Sequence, residues 1–272
     1  MTDSVSIQDP PLARGRTADV YAWHDGQVIK LFYDWVPDSW IERETDIARA
    51  LPASSLPVPK FIEAVSTNGR RGIVFQRIHG PSMVDLLTTR PWHSGALARR
   101  MAELHALVHA ENGRTLDPLR AQVGVSIEHT EALPEQLKRR VLQHLDRLPD
   151  GTALCHFDFH PAQIIMSPQR AIILDWMAAL KGDPAADVAR TSVLLTFAQV
   201  PDAGVATRLL INVIRRSFHR SYLARYLALQ PEVTRQRIND WMIPVAAARL
   251  NENVAGEREA ILRYLGRSLE PG

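Results

Sequence analysis

The sequence predicts an α+β protein in which a small lobe, an antiparallel β-sheet with one helix, is followed by a larger, mainly helical lobe. Three observations carry that expectation. An Asp25-Gly26 turn joins two strand-like runs near the N-terminus. A second pair of strand-like runs flanks Asn68-Gly69. Beyond Gly80-Pro81 long helical segments dominate, broken only by short apolar runs.

Taken in order, Met1 to Pro11 are polar and end on prolines, which suits a loose lead-in. Val20 to Trp23 and Gln27 to Phe32 read as the strands of the first hairpin. Asp38 or Ser39 can cap a helix from Trp40 to Leu51, in which Ile41, Thr45, Ala48 and Leu51 keep roughly helical spacing. Pro52, Pro57 and Pro59 stop it. Lys60 to Val65 and Gly72 to Ile78 then read as strands. Helices are expected over Ser82–Leu87, Gly95–His109, Glu131–Leu148, Pro184–Phe197, Ala203–Leu229 and Pro231–Leu265. Short strands around Leu154, Ile164-Ile165 and Ile172-Ile173 interrupt this half and hold a polar loop between them, on a scaffold suited to presenting functional groups.

At 272 residues and 46% hydrophobic, the chain can bury the core of one large domain or two modest ones. A formal charge of +2, with 23% charged residues in no block of one sign, argues against a nucleic-acid footprint. Cys155 is the only cysteine, so no internal disulfide framework exists, and a reducing, cytoplasmic setting is expected. No apolar run approaches membrane-spanning length, and Asp3 and Asp9 stand where an export signal needs cations. Neither export nor a membrane partner is expected.

The stretch from Cys155 to Gln163, followed by the apolar run Ala171 to Leu174 that delivers Asp175, carries the chemistry. Phosphoryl transfer needs a phosphate cradle, a cation, hard-oxygen metal ligands and a group that orients the attacking hydroxyl. Here an acid, Asp158, stands two places after His156. Gln163, a side chain able to contact a metal, follows, and a second acid, Asp175, closes a short strand. That spacing is that of a kinase catalytic loop and its downstream metal-binding Asp. His156, Asp158 and His160 at alternate positions also suit zinc, although no fourth ligand is evident.

The residues around this loop resemble those of the aminoglycoside phosphotransferase and choline kinase superfamily. His160-Pro161 follows Asp158, Asp175-Trp176 stands in place of Asp-Phe-Gly, and Gly182-Asp183-Pro184-Ala185-Ala186-Asp187 reproduces a Gly-Asp-Pro-x-x-Asp pattern. The resemblance implies a protein-kinase-like two-lobed fold, with residues 1–78 as a nucleotide-binding lobe and 79–272 as a catalytic and substrate-binding lobe. It further implies ATP or GTP held between the lobes, Mg²⁺, and transfer of the γ-phosphoryl group to a hydroxyl of a small molecule. An antibiotic, an aminocyclitol, a sugar-like alcohol or another metabolite would all qualify. On this reading Lys30 contacts the α- and β-phosphates and Glu44 orients it, with Glu42 a weaker rival. The turn containing Gly15 and Thr17 faces the phosphates, and backbone groups around Gln76 and Ile78 bind the adenine edge. Asp158 is catalytic, while Gln163 and Asp175 hold the metal. Asp187 anchors the catalytic loop, with His156 bracing it and His160 structural.

Two departures stand out. The superfamily usually has His-Gly-Asp, whereas this chain has His156-Phe157-Asp158, so an ordinary backbone conformation is expected at Phe157. Gln163 stands where Asn is usual, which leaves open a nucleotide-binding pseudokinase without turnover. A protein-directed kinase is a weaker alternative, because the stretch from Asp175 to Asp183 is too short for an activation loop. The His105 and His109 pair is expected to be packed and partly surface-exposed for want of a third metal ligand, and Cys155 to be a buried, inert thiol.

Overall fold

The computed structural model describes residues 10–51, 54–67, 69–113, 115–198 and 204–269. The expected lead-in before residue 10, the stop at Pro52, Asn68 of the second turn and the expected helix start at Ala203 lie outside them. In chain order the described residues form β1 (Ala13–Arg14), β2 (Ala18–Ala22), β3 (Gln27–Phe32), α1 (Asp38–Ala50), β4 (Phe61–Thr67), β5 (Arg70–Gln76), α2 (Met83–Thr89), α3 (Ser94–Ala110), α4 (Leu119–His129) and α5 (Glu135–Leu145). They continue with β6 (Ala153–Cys155), β7 (Ile164–Met166), β8 (Ala171–Ile173), β9 (Leu180–Gly182), α6 (Pro184–Phe197), α7 (Val205–Leu229), α8 (Arg235–Arg249) and α9 (Arg258–Ser268).

By packing, the chain divides into two units. Unit 1 comprises Met1–Ser82 and Ala162–Met177; unit 2 comprises Met83–Pro161 and Ala178–Gly272. The expected boundary after residue 78 divides the chain once, whereas packing places Ala162–Met177 with unit 1.

Unit 1 is built on a five-stranded antiparallel sheet in the order β1-β2-β3-β5-β4. β3 lies inside it and buries both faces. Ile29 and Leu31 pack with Val74 on one side, and Phe32 packs with Ile73, Val36 and the α1 residue Ile41 on the other. Strand alternation therefore puts Lys30 on the side that α1 covers. At the first hairpin turn Gly26 has φ +69°, a conformation that costs glycine little. The short hairpin β7–β8, registered Ile164↔Ile173, completes the unit. Ile173 N–H donates to Pro57 O at 2.8 Å, and Met166 N–H to Pro81 O at 2.9 Å.

The cap expected on α1 is not made. The helix starts at Asp38 behind Pro37 with no side-chain cap. Asp38 is therefore the first residue of the helix and not its cap, and its carboxylate accepts from Arg71 Nη1 at 2.9 Å.

Unit 2 is helical around α8, whose Trp241, Ile243, Val245, Ala246 and Ala247 are all buried. The strand pair β6–β9 joins Ala153 to Gly182 and leads into the polar loop. Two expected helices differ from what forms. The segment expected from Pro231 to Leu265 is two helices, because a 3-10 turn over Leu250–Glu252 is followed by Asn253 and Gly256 with φ of +51° and +80°. The span expected from Glu131 to Leu148 is the shorter α5, and α4 precedes it. Asp183 caps α6: its Oδ1 accepts from Ala185 N–H at 2.9 Å, while Oδ2 accepts from Arg237 Nε at 2.7 Å and Trp241 Nε1 at 2.8 Å.

Candidate active site

In unit 1, Lys30 extends from β3 toward α1 and meets two carboxylates. Its Nζ donates to Glu44 Oε1 at 2.6 Å and to Asp175 Oδ1 at 2.8 Å. Burial opposes a charged ammonium here, but Glu44 and Asp175 outweigh it and hold Lys30 protonated well above its ordinary range. The Glu44 side chain is 3% exposed and that of Asp175 38%. The group is thus polarised, with a buried anchor at one end and an accessible acid at the other.

Asp175 follows β8 with φ +56°, in the left-handed region. The preceding Leu174 N–H donates to Gln163 O at 2.8 Å, so the main chains bearing both expected metal ligands are tied together. A carboxylate and an amide are the hard-oxygen donors that Mg²⁺ favours over thiolate or imidazole.

Gly15 and Thr17 lie in the β1–β2 turn, which closes on itself. Gly15 N–H donates to Ala18 O at 2.9 Å, and a Cβ at position 15 would sit 3.0 Å from that oxygen. Thr17 Oγ1 lies 3.5 Å from Met177 Sδ, and Thr17 O accepts from Tyr33 N–H at 2.9 Å. Farther on, Gln76 N–H is spent on Lys60 O and Arg77 N–H on Gly26 O. Within that stretch the Ile78 amide is the one that bonds no described residue.

In unit 2, β6 ends at Cys155, buried and free, with burial pushing its thiol pKa well up. The loop beyond it hangs on α6. Asp187 Oδ2 accepts from His156 N–H at 2.6 Å and Oδ1 from Phe157 N–H at 2.9 Å. His156 Nδ1 accepts from Asp158 N–H at 3.3 Å, and Thr191 Oγ1 donates to Phe159 O at 2.9 Å. Phe157 itself has φ +58°. The expected ordinary conformation is therefore incorrect: Phe157 has the left-handed backbone that glycine would adopt freely, with its N–H bonded to Asp187 and its carbonyl to Arg190.

Asp158 carries a carboxylate 3.6 Å from His160 Nε2 and 4.0 Å from Arg190 Nη2. Burial would raise its pKa, but His160, Arg190 and His156 together lower it to about 2. It is an ionised hydrogen-bond acceptor throughout the neutral range. His160 thus faces the acid and contributes to its charge state.

His105 and His109 are buried, contrary to the expected exposure, and a third ligand type does adjoin them. Their Nε2 atoms lie 3.1 and 3.2 Å from Asp187 Oδ2, with the His105 contact off the line of a good hydrogen bond. Each Nδ1 lies 2.6 Å from a buried phenol, Tyr222 for His105 and Tyr226 for His109. The three side chains place ligand atoms within 4.8 Å of one another. Because the carboxylate already accepts two main-chain N–H groups, the set reads as a hydrogen-bonded brace for the loop.

Sequence reasoning missed Arg190 and Glu252. Arg190 Nε donates to Phe157 O at 3.2 Å, and its Nη2 lies 2.6 Å from Glu252 Oε1. The one signal was position: Arg190 follows Asp187 by one helical turn, which puts both on the loop-facing side of α6.

The model of a phosphotransferase enzyme family, APH, matches residues 10–210. No curated protein matches the chain. Among solved structures, the streptomycin–ATP–APH(2")-IIa ternary complex superposes with a TM-score of 0.58 at 17% identity, covering 98% of this chain and 92% of that one. An aminoglycoside-3'-phosphotransferase of type VIII gives 0.59 at 17% identity, over 90% and 92%. A choline/ethanolamine kinase family protein from Mesorhizobium loti gives 0.58 at 15% identity, over 97% and 88%. These likenesses establish the protein-kinase-like fold.

Proposed function

Because the chain belongs to the phosphotransferase enzyme family, whose model spans residues 10–210, we propose that it transfers the γ-phosphoryl group of ATP or GTP to a hydroxyl of a small molecule. The observation that carries this reading is the half-buried Lys30 ammonium, held between the buried Glu44 and the accessible Asp175. A cation held ionised beside an accessible acid is what phosphates and a hard metal require together. Lys30 would contact the α- and β-phosphates, with Glu44 fixing its direction. Asp175 and Gln163 would hold Mg²⁺, which when bound neutralises charge on the phosphates. The Gly15–Thr17 turn would lie over the phosphates, and the Gln76–Ile78 stretch would receive the adenine edge, through the main chain of Ile78.

Asp158 would accept a hydrogen bond from the acceptor hydroxyl and aim its oxygen at the γ-phosphorus. A carboxylate whose pKa lies near 2 is a weak base, which suits a loose transition state in which the hydroxyl proton leaves late. The acceptor would be a hydroxylated small molecule, with antibiotics such as the streptomycin of the superposed complex, amino alcohols and sugar-like metabolites as the classes to screen. No helix among the described residues is long and apolar enough to cross a membrane, and the lone thiol suits a reducing cytoplasm.

The test is calorimetric titration of ATP and of GTP, with and without Mg²⁺, into the wild type and Asp175→Asn. Binding that strengthens with Mg²⁺ and weakens in the variant is expected. Absence of binding by either nucleotide would overturn the reading.

A further inference from the structure

The proposed reaction depends on the direction of Asp158, and the residue before it is held in a conformation that a side chain resists. Phe157 lies at φ +58°, where the Cβ of any L-residue crowds the backbone. Left to itself the peptide would relax, and Asp158 would turn with it.

Three contacts from one side chain oppose that relaxation. Arg190 Nε donates to Phe157 O at 3.2 Å. The Arg190 guanidinium lies over the Phe157 ring, 5.6 Å from its centroid. Its Nη2 stands 4.0 Å from Asp158 Oδ1. Arg190 is itself held from the other direction, since Nη2 lies 2.6 Å from Glu252 Oε1, and Glu252 is also paired with Arg249. Glu252 closes the 3-10 turn between α8 and α9. The guanidinium therefore ties this turn to the carbonyl, ring and neighbouring acid of the loop. A lysine in its place would supply charge without the fork that makes these contacts at once.

We propose that Arg190, held by Glu252, is a positioning residue that keeps Phe157 left-handed and thereby sets the direction of the Asp158 carboxylate. The inference goes beyond the phosphotransferase reading, on which its catalytic meaning rests, but its central claim concerns the loop and is tested without turnover.

The experiment is hydrogen exchange, followed by mass spectrometry, of peptides spanning residues 155–160. Arg190→Gln is made in three backgrounds: wild type, Phe157→Ala and Phe157→Gly. Alanine keeps the crowded Cβ without the ring, whereas glycine adopts the observed φ freely. In the wild type, Arg190→Gln is expected to speed exchange about tenfold, the scale set by one left-handed non-glycine residue. The acceleration should persist in the alanine background and shrink to about twofold or less with glycine. Equal acceleration in the alanine and glycine backgrounds would overturn the proposal. Should Arg190→Gln not fold, Glu252→Gln supplies the same comparison, with a smaller effect expected in the same order. Once an acceptor is known, Arg190→Gln should lower kcat with little change in the KM for nucleotide, and Phe157→Gly should recover part of that loss. Loss of nucleotide binding in the wild type would sink the phosphotransferase reading while leaving the exchange result to stand or fall alone.

Discussion

Lys30 and Asp175 lie 145 residues apart in the chain and 2.8 Å apart at their charged ends. The ammonium also satisfies Glu44, so one cation serves a buried and an accessible carboxylate. The two ends have different expected consequences: loss of the cation should harm the fold through Glu44 and, on the proposed function, nucleotide binding through Asp175.

Lys30→Ala leaves Glu44 buried with no cation, so its carboxyl, whose pKa burial already raises, must either carry an unpaired charge or take up a proton. Removing one partner of such a pair is expected to lower stability by about 3 kcal/mol. Lys30→Ala with Glu44→Gln should recover part of that loss, because the second change removes the stranded charge. Urea denaturation of the three proteins checks this, and equal stability of the wild type and Lys30→Ala would contradict it.

The buried brace behind the Asp158 loop makes stability depend on pH. Burial first, then the neighbouring His109, push the His105 pKa from its ordinary 6.5 down to about 4, while Asp187 opposes them and His156 adds a smaller downward push. Between those values the unfolded chain binds a proton that the folded chain refuses. Stability is therefore lost as pH falls from 6.5 toward 4, by about 3 kcal/mol from this one group. His219, likewise pushed down to about 4 by burial, acts in the same window and direction. Urea denaturation at pH 7 and pH 4.5 should show the loss, and His105→Asn should show less of it.

Much of this was legible in the sequence, for local reasons. Asp25-Gly26 announced the first hairpin because Gly26 supplies the left-handed φ its turn uses, and Val28-Ile29-Lys30-Leu31 set the face of Lys30 through strand alternation. The pairings of Lys30 with Glu44 and of Asp187 with the loop came from the pattern of a resembling family; no residue near either one encodes the distance. What stayed illegible was set by tertiary contact. Phe157 is left-handed where Asp187 and Arg190 from α6 bond its two sides, contacts that no neighbouring residue in the sequence announces. Helix α1 begins at Asp38, which bonds Arg71 and does not cap, and the histidines of α3 are buried with Tyr222 and Tyr226 of α7 bonded to their Nδ1 atoms.

Gly151 is the tightest close approach in unit 2. A Cβ there would sit 2.3 Å from Gly182 O and 2.5 Å from Gly182 C, both main-chain atoms of β9. No side chain can swing away, so Gly151→Ala must move the strand pair that leads into the Asp158 loop. A stability loss of about 2 kcal/mol is expected, at the scale of forced backbone shifts in a packed region. Thermal denaturation checks it, with the exposed Gly204→Ala, which meets nothing within 4 Å, as the control.

Asp158→Asn separates orientation from binding. Asparagine keeps the size of the side chain, but its amide presents a donor on one side and cannot replace an anion held by His160, Arg190 and His156. If Asp158 receives the acceptor hydroxyl, kcat should fall by about two orders of magnitude or more. Nucleotide affinity, assigned to Lys30 and Asp175, should change little. The wild-type pH profile gives an independent check. With its pKa near 2, Asp158 stays ionised down to about pH 3, so it should contribute no acid limb to kcat between pH 5 and 8. A limb in that range that disappears in Asp158→Asn would assign it the role of a titrating general base, and an unchanged kcat in the variant would remove it from the chemistry.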